Sequence, residues 1–195
     1  ATDDLLSRMV HSEAMGHLEP MERIANIALL IVGGNDTTRN SMSGLVEAFD
    51  KYPEQLERLR ADPSLIPNAA QEIVRWQSPV THMRRTALED TELGGQTIRK
   101  GEKIVMWYIS ANRDERVFPD AEQFDVARPN ARRHLGFGHG IHRCVGAKLA
   151  EDQLATLIGE IASRNIRIVP QGAPERLASP FLHGFTAMPV KIEQA

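Results

Sequence analysis

The sequence predicts a mainly α-helical fold with a minor β-sheet. Three segments have the apolar pattern of helices, whereas the segments with strand-like composition are short and lie between or after them. Strands and helices do not alternate regularly along the chain, and this excludes a doubly wound fold with a parallel sheet. With 195 residues, of which 42% are hydrophobic, the chain is long enough to bury a core.

The first helix is expected over residues 20 to 50. Pro20 suits the first turn of a helix, where its missing N–H group is not needed. Apolar residues follow on every face of the helix, among them Ile24, Ile27 and residues 28 to 32. This pattern predicts a helix that is buried on all sides.

The middle of this helix carries the stretch GGNDTT, residues 33 to 38. A helical glycine costs about 1 kcal/mol relative to alanine, and a buried hydroxyl without a partner costs roughly 1 to 3 kcal/mol. Two explanations stay open. In the first, Thr37 bonds back to the carbonyl group of Gly33 and Asp36 reaches the surface at a bend. In the second, the helix opens where a small ligand touches its backbone, and Thr37 and Asp36 pass protons.

The second helix is expected over residues 68 to 77, ended by Pro79. Glu72 and Arg75 lie three residues apart, so they share one face of the helix and can pair. An exposed pair of this kind contributes about 0 to 1 kcal/mol. The apolar neighbours in this helix instead favour burial of the pair, which requires a further partner, and Arg128 is a candidate.

The remaining segments complete the expected order. Residues 86 to 107 have the short apolar runs and glycine turns of strands, and residues 112 to 136 are expected to form a meander with little periodicity. A last helix is expected over residues 145 to 163. Two strand-like segments follow, at residues 166 to 169 and 186 to 192.

The composition excludes several classes of function. The net charge is -3, and lysine and arginine are spread along the chain, which argues against nucleic acid as a partner. A single cysteine cannot form an internal disulfide, and this suits a cytoplasmic location. No segment has the length and apolarity of a membrane span, and no signal peptide is visible. The chain begins without methionine, so we expect it to be part of a longer protein.

The one cysteine, Cys144, lies in the stretch FGHGIHRCVG at residues 137 to 146. Gly138, Gly140 and Gly146 allow the backbone to bend its N–H groups toward the sulfur, and the start of the last helix adds a positive dipole end. Both effects favour a thiolate. We therefore expect Cys144 to be a ligand or a nucleophile, although a lone cysteine is most often an inert apolar side chain.

Two kinds of metal site are compatible with this stretch. His134, His139 and His142 would allow a zinc site with Cys144, but the loop lacks the paired spacing of a closed tetrahedral site. A single thiolate on a glycine-rich bend, with His142 and Arg143 nearby for carboxylates, fits an axial heme ligand better.

Three motifs together resemble the heme-thiolate monooxygenases of the cytochrome P450 family. They are G-G-x-D-T at residues 33 to 37, E-x-x-R at 72 to 75 and F-x-x-G-x-H-x-C-x-G at 137 to 146, in the order and separation of that family. The resemblance covers nearly the whole chain and matches the C-terminal half of a family member. It implies that residues 1–195 are the C-terminal part of a single cytochrome P450 domain whose N-terminal half is absent from this sequence.

The resemblance implies a cofactor and the residues that hold it. Cys144 would be the axial thiolate ligand of heme b (iron protoporphyrin IX), and it is also the expected metal ligand. His142 and Arg85 match positions that bind the heme propionates, although many members carry arginine where His142 stands. Further residues expected beside the cofactor are Phe137, Gly138 and Gly33.

The resemblance also implies roles in proton transfer and in folding. Asp36 and Thr37 would be the catalytic residues that deliver protons for the activation of O2. Glu72, Arg75 and Arg128 would be structural, since they would stabilise the fold beneath the heme.

The implied activity is the insertion of one atom of O2 into an unactivated C–H bond. The stretch RWQSPVTHMRRTALEDTELGG resembles the bacterial alkane terminal hydroxylases, so the expected reaction is terminal hydroxylation of a small hydrophobic substrate, a medium-chain alkane or fatty acid. That resemblance also implies ferredoxin and ferredoxin reductase as electron donors. Residues expected to face the substrate are Val80, Thr81, Phe181 and Leu182.

Two alternatives to a monooxygenase stay open. One is a truncated, inactive fragment of a heme enzyme, and the other is a small metal-binding module that uses the histidines and Cys144.

Overall fold

The computed structural model describes residues 2–194. The chain divides into two compact units, residues 1–37 and residues 38–195. The expected fold class, mainly α-helical with small sheets, is confirmed. The helices are α1 (Leu5–Val10), α2 (Glu13–Gly16), α3 (Pro20–Lys51), α4 (Pro53–Ala61), α5 (Ile66–Gln77), α6 (Tyr108–Ala111) and α7 (Ala147–Ser163). The strands are β1 (His82–Thr86), β2 (Thr91–Leu93), β3 (Gln96–Ile98), β4 (Lys103–Trp107), β5 (Ile166–Pro170), β6 (Glu175–Arg176), β7 (Phe185–Ala187) and β8 (Val190–Gln194).

The first unit contains two short capped helices that the sequence did not predict, followed by the beginning of α3. The carboxylate of Asp4 accepts a hydrogen bond from the N–H of Ser7 at 2.7 Å and caps α1. The hydroxyl of Ser12 accepts one from the N–H of Met15 at 3.2 Å and caps α2. Met15 is the only buried residue of these two helices.

The long helix expected from the sequence is confirmed, because α3 runs without interruption from Pro20 to Lys51. The expectation that it is buried on all sides is wrong. Ile24 is 58% and Leu29 is 69% exposed, and the buried residues of α3 all lie from position 40 onward. Apolar composition favours burial, but burial requires a surface to pack against, and α1 and α2 are too short to provide one for every face of the helix.

The core of the second unit lies between the second half of α3 and the helices α4, α5 and α7. Leu45 of α3, Leu59 of α4, Ile73 of α5 and the α7 residues Leu154 and Ile158 are all fully buried. Each side chain of this size stabilises the fold by roughly 1.5 to 3 kcal/mol when it is removed from water. This core fixes α5, which carries Glu72 and Arg75.

Helix α5 begins at Ile66, two residues before the expected start, because Pro67 suits its first turn. It ends where expected. Ser78 adopts a left-handed backbone conformation, with φ of 46° and ψ of 64°, and so terminates the helix. Residues 69 to 77 are all buried, which makes α5 the central helix of this unit.

Within residues 2–194 the strands pair in four separate two-stranded antiparallel sheets, β1 with β4, β2 with β3, β5 with β8 and β6 with β7. The expected strand region is confirmed, although β1 begins four residues earlier, at His82. Residues 112 to 136 contain no strand and only one turn of 3-10 helix, as the meander predicted. Helix α7 begins at Ala147 instead of Val145, because Gly146 is its N-cap. None of the helices within residues 2–194 has the length and apolarity needed to cross a membrane.

Two helical glycines differ in the space around them and provide a matched test of the packing. A Cβ added to Gly44 of α3 would lie 2.6 Å from the Oε1 of Gln77, which is fully buried and donates from Nε2 to the carbonyl of His183 at 3.0 Å. A Cβ added to Gly159 of α7 would meet only the Cδ1 of Ile66, at 3.9 Å. Gly44→Ala should therefore lower the free energy of unfolding by about 1 to 3 kcal/mol.

Gly159→Ala should instead raise the free energy of unfolding by about 0.4 to 1 kcal/mol, because alanine favours the helix and meets no clash. Urea denaturation followed by circular dichroism measures both variants. Changes of the same sign in the two variants would contradict the close approach of α3 and α5 at Gly44.

Candidate functional site

The stretch around Cys144 forms a tight loop that leads into α7. Gly138 and Gly140 have positive φ angles of 69° and 75°, in the left-handed region that glycine enters without strain. The N–H of Cys144 donates to the carbonyl of Phe137 at 2.8 Å and closes the loop. The expected glycine bend is present, and the thiol at its end is exposed.

Large apolar residues on either side of the thiol are exposed as well. Ile141 is 97% and Val145 is 89% exposed, and the basic residues His142 and Arg143 beside them are also exposed. Such a surface, with a single sulfur, suits a large apolar ligand that carries carboxylates. Heme has this chemistry, because its macrocycle supplies the other metal ligands and its propionates attract cations.

A metal ion held by the chain alone would need more ligands than this loop offers. Within residues 2–194, no group of three or more His, Cys, Asp or Glu side chains is placed to hold a metal ion. The residues present therefore fit heme better than the zinc site that the histidines of this stretch allowed.

His134, one of the candidate zinc ligands, uses both ring nitrogens inside the protein. Its Nδ1 accepts a hydrogen bond from the N–H of Gly136 at 3.0 Å, so the neutral ring carries its hydrogen on Nε2 and donates it to the Oε1 of Gln71 at 3.1 Å. Burial, assisted by the positive charges of Arg75 and Arg143, lowers the pKa of His134 from 6.5 to about 4. The ring is neutral at neutral pH and has no lone pair left for a metal.

Glu72, Arg75 and Arg128 meet in one buried network. Arg75 donates from Nε to one carboxylate oxygen of Glu72 at 2.7 Å and from Nη2 to the other at 2.8 Å. Arg128 donates from Nε to the same carboxylate at 3.0 Å. Glu72 and Arg75 are fully buried, and Arg128 is 5% exposed. The structure thus brings together the three residues that the sequence singled out as structural.

The two guanidinium groups also hold the segment that follows α6. Arg75 donates from Nη1 to the carbonyls of Asn112 and Ala121, both at 2.8 Å, and Arg128 donates from Nη1 to the carbonyl of Pro119 at 2.6 Å. This segment has neither a helix nor a sheet ladder to satisfy its carbonyls. The arginine side chains take that role.

The four residues expected to face the substrate belong to two paired segments. Val80 and Leu182 form an antiparallel bridge, and the N–H of Thr81 donates to the carbonyl of Phe181 at 3.0 Å. The hydroxyl of Thr81 donates to the carbonyl of Pro180 at 2.6 Å. Val80 and Thr81 are buried, whereas Phe181 is 40% exposed.

The remaining cofactor candidates lie in different elements. Arg85 of β1 is half-buried and donates from Nη1 to the carbonyl of Arg84 at 3.0 Å. His142 is exposed in the turn before Cys144. The ring of Phe137 lies against that of His134, with 5.2 Å between the ring centroids.

Helix α3 remains regular through the GGNDTT stretch, so the opened helix is not observed. The hydroxyl of Thr37 donates to the carbonyl of Gly33 at 2.7 Å, and this agrees with the first of the two explanations. Thr37 and Asp36, expected as catalytic residues, lie on this unbroken helix and are half-buried.

Two buried amides beside the network were not anticipated from the sequence. Asn112 accepts at Oδ1 from the N–H of Leu135 at 2.7 Å and donates from Nδ2 to the hydroxyl of Ser78 at 2.9 Å. Gln71 holds His134, as described above. Each amide lies in or directly beside an apolar stretch of the sequence, and a buried amide needs a hydrogen-bond partner. This position in the sequence could have predicted that both amides are buried and hydrogen-bonded.

Comparison with known proteins gives consistent matches. The family model described as Cytochrome P450 matches residues 61–164. Linalool 8-monooxygenase of Pseudomonas putida is 46% identical over 182 residues, which are 93% of this chain and 45% of that protein. Methyl-branched lipid omega-hydroxylase of Mycobacterium tuberculosis is 44% identical over 191 residues, 96% of this chain and 44% of that protein. The chain therefore spans about half the length of the curated relatives it matches.

Solved structures match to the same extent. A cytochrome P450-153 from Novosphingobium aromaticivorans has a TM-score of 0.93 and 58% identity, over 97% of this chain and 48% of its own length. CYP153D17 from Sphingomonas sp. PAMC 26605 has a TM-score of 0.92 and 58% identity, over 98% of this chain and 48% of its own length.

The buried carboxylate of Glu72 and an exposed carboxylate in a pair of the same spacing give a second test. Glu57 and Arg60 are also three residues apart, at 2.6 Å; the side chain of Arg60 is 13% exposed, but that of Glu57 is 62% exposed. Glu72→Ala should lower the free energy of unfolding by about 3 to 5 kcal/mol, because it leaves two buried guanidinium groups without their carboxylate. Glu57→Ala should lower it by about 0 to 1 kcal/mol.

Urea denaturation of the two variants and of the parent chain measures this difference. If Glu72→Ala were no more harmful than Glu57→Ala, the buried carboxylate would not have the structural role described here.

Proposed function

The chain belongs to the cytochrome P450 family, and on this premise we propose that it carries the heme-binding part of a monooxygenase. The proposed reaction inserts one atom of O2 into an unactivated C–H bond. The observation that carries the proposal is the exposed thiol of Cys144 at the end of a glycine loop and just before α7.

Heme b, when bound, supplies the redox chemistry that activates O2. Cys144 would hold it through one sulfur, three residues before α7 begins at Ala147. The hydrogen bond from the N–H of Cys144 to the carbonyl of Phe137 holds the backbone of Cys144 at a fixed place in the loop. His142 and Arg85 are proposed to bind the propionates, and Gly138 and Gly33 are proposed to lie beside the macrocycle.

We assign the oxidised position to the end of a medium-chain alkane or fatty acid. One relative is named as a methyl-branched lipid omega-hydroxylase, and the two cytochrome P450-153 structures are 58% identical to this chain. Val80, Phe181 and Leu182 provide apolar contacts for such a chain. The hydroxyl of Thr81 is engaged by a carbonyl, so its methyl group is the part that remains for the substrate.

We assign the delivery of protons to Asp36 and Thr37, on the resemblance of G-G-x-D-T to the corresponding motif of the family. A carboxylate and a hydroxyl next to each other can pass a proton between solvent and a buried acceptor. The electron donors are proposed to be ferredoxin and ferredoxin reductase, in the cytoplasm, where a reducing environment keeps the single cysteine available.

Replacing the proposed ligand tests the assignment directly. In the complete, heme-loaded protein, Cys144→Ser should abolish the red-shifted carbonyl band of the reduced heme and substrate oxidation together, because a serine hydroxyl does not replace a thiolate. His139→Gln, an exposed position of the same loop, is the control and should retain both. A Cys144→Ser protein that keeps the red-shifted band would rule out the thiolate assignment, and a parent protein that binds heme without showing the band would support a histidine ligand instead.

The proposed proton path has its own test. In the complete protein, Thr37→Ala should lower the fraction of reductant electrons that appear in product by about tenfold or more, within the usual contribution of a positioned proton-transfer group. Consumption of O2 should continue and peroxide should accumulate. Thr38→Ala is the control, because the next helical residue points about 100° away around the axis. A larger loss of coupling in Thr38→Ala than in Thr37→Ala would show that Thr38, and not Thr37, has this role.

A further inference from the structure

His134 connects the central helix α5 to the loop that bears Cys144. On one side its Nε2 donates to the Oε1 of Gln71 in α5 at 3.1 Å. On the other side its Nδ1 accepts the N–H of Gly136 at 3.0 Å, and its ring lies against that of Phe137. The carbonyl of Phe137 in turn accepts the N–H of Cys144 at 2.8 Å. A continuous series of contacts thus joins α5 to the thiol-bearing residue.

The loop lies very close to α5 at Gly136. A Cβ added there would come within 2.7 Å of the Cγ1 of Val74 and within 3.2 Å of both the Val74 carbonyl and the His134 Nδ1. Only a residue without a side chain fits between the helix and the imidazole. The backbone of the loop is therefore confined on one side by Val74 and on the other by the ring of His134.

The surroundings of His134 keep its ring an acceptor at Nδ1. Burial, assisted by the positive charges of Arg75 and Arg143, lowers the pKa of the ring to about 4. A protonated imidazole has no acceptor nitrogen, so protonation would abolish the bond from Gly136. Around neutral pH the ring stays neutral and the bond to Gly136 is kept.

We propose that His134 is a positioning residue for Cys144. Its Nδ1 holds the N–H of Gly136, and this fixes the neighbouring Phe137 carbonyl, which accepts the N–H of Cys144. This inference rests on the proposed role of Cys144 as the heme ligand. Without the Nδ1 acceptor, the loop loses one of the two constraints at Gly136, and the backbone that carries the thiol is no longer held at one place.

Three substitutions of His134 separate its two hydrogen bonds. The Oδ1 of asparagine occupies nearly the place of the imidazole Nδ1, so His134→Asn keeps an acceptor for Gly136 and loses the contact with Gln71. The longer side chain of His134→Gln reaches Gln71 and leaves Gly136 without its acceptor. His134→Leu removes both bonds.

The first readout is amide hydrogen exchange in the heme-free chain. We expect exchange at Gly136 and Cys144 to be about three- to tenfold faster in His134→Leu and His134→Gln, the factor that one neutral hydrogen bond contributes. His134→Asn should retain protection within about twofold of the parent. Amides of α7 serve as the internal control for a general loss of stability, and His139→Leu is the control for a change at an exposed histidine.

The second readout is the red-shifted carbonyl band of the heme-loaded protein. The fraction of bound heme that shows this band should fall in His134→Leu and His134→Gln and be restored in His134→Asn. Equal amide exchange rates at Gly136 and Cys144 in His134→Asn and His134→Gln would overturn the proposal. Unchanged rates in His134→Leu would overturn it as well. If His134→Leu does not fold, the comparison of Asn with Gln decides the question alone.

The two readouts also separate this inference from the proposed function. Hydrogen exchange does not require heme, so it tests the link between His134 and the loop by itself. Failure of the parent protein to show a thiolate-bound heme would refute the proposed function without altering the exchange result.

Discussion

The buried carboxylate of Glu72 is the constraint on which the second unit depends. A charge without water is tolerated only when partners surround it, and here two guanidinium groups and the N–H of Asp125, at 3.1 Å, surround one carboxylate. The same guanidinium groups bind the carbonyls of an irregular segment. The ion network therefore satisfies the backbone carbonyls of that segment, as the hydrogen bonds of a sheet do for a strand. The order of residues 112 to 128 therefore depends in part on a single acidic side chain on α5.

Helix α5 connects this network to the candidate heme site. Glu72 holds the irregular segment, and its neighbour Gln71 holds His134, which lies before the loop of Cys144. Asn112 adds a second connection, because its carbonyl binds Arg75 and its side chain binds the backbone of Leu135. A ligand loop supported in this way depends on groups outside it that fix its orientation.

The sequence predicted those parts of the structure that depend on local patterns. The length of α3, the end of α5 before Pro79 and the bend at Gly138 and Gly140 each follow from residues that are neighbours in the chain. The predicted burial of α3 was wrong for the first half of the helix. The apolar pattern shows which faces of a helix are apolar, but it does not show which surface covers them. The early start of β1 was missed because its residues HMRRT have little of the composition of a strand.

The contacts between residues of the site were harder to predict from the sequence. Asn112 and Ser78 are 34 residues apart, and His134 and Gln71 are 63 residues apart, so no local pattern links them. The network of Glu72 was accessible only in part, through the spacing of Glu72 and Arg75 and the apolar character of their helix.

The way in which residues 80 to 81 meet residues 181 to 182 has a consequence for evolution. The two segments are joined through their backbones, by the bridge of Val80 with Leu182 and the bond of Thr81 with Phe181. Main-chain bonds do not depend on the identity of the side chains that stand beside them. Side chains at Val80, Phe181 and Leu182, which we propose face the substrate, can therefore diverge among descendants while the segments stay together.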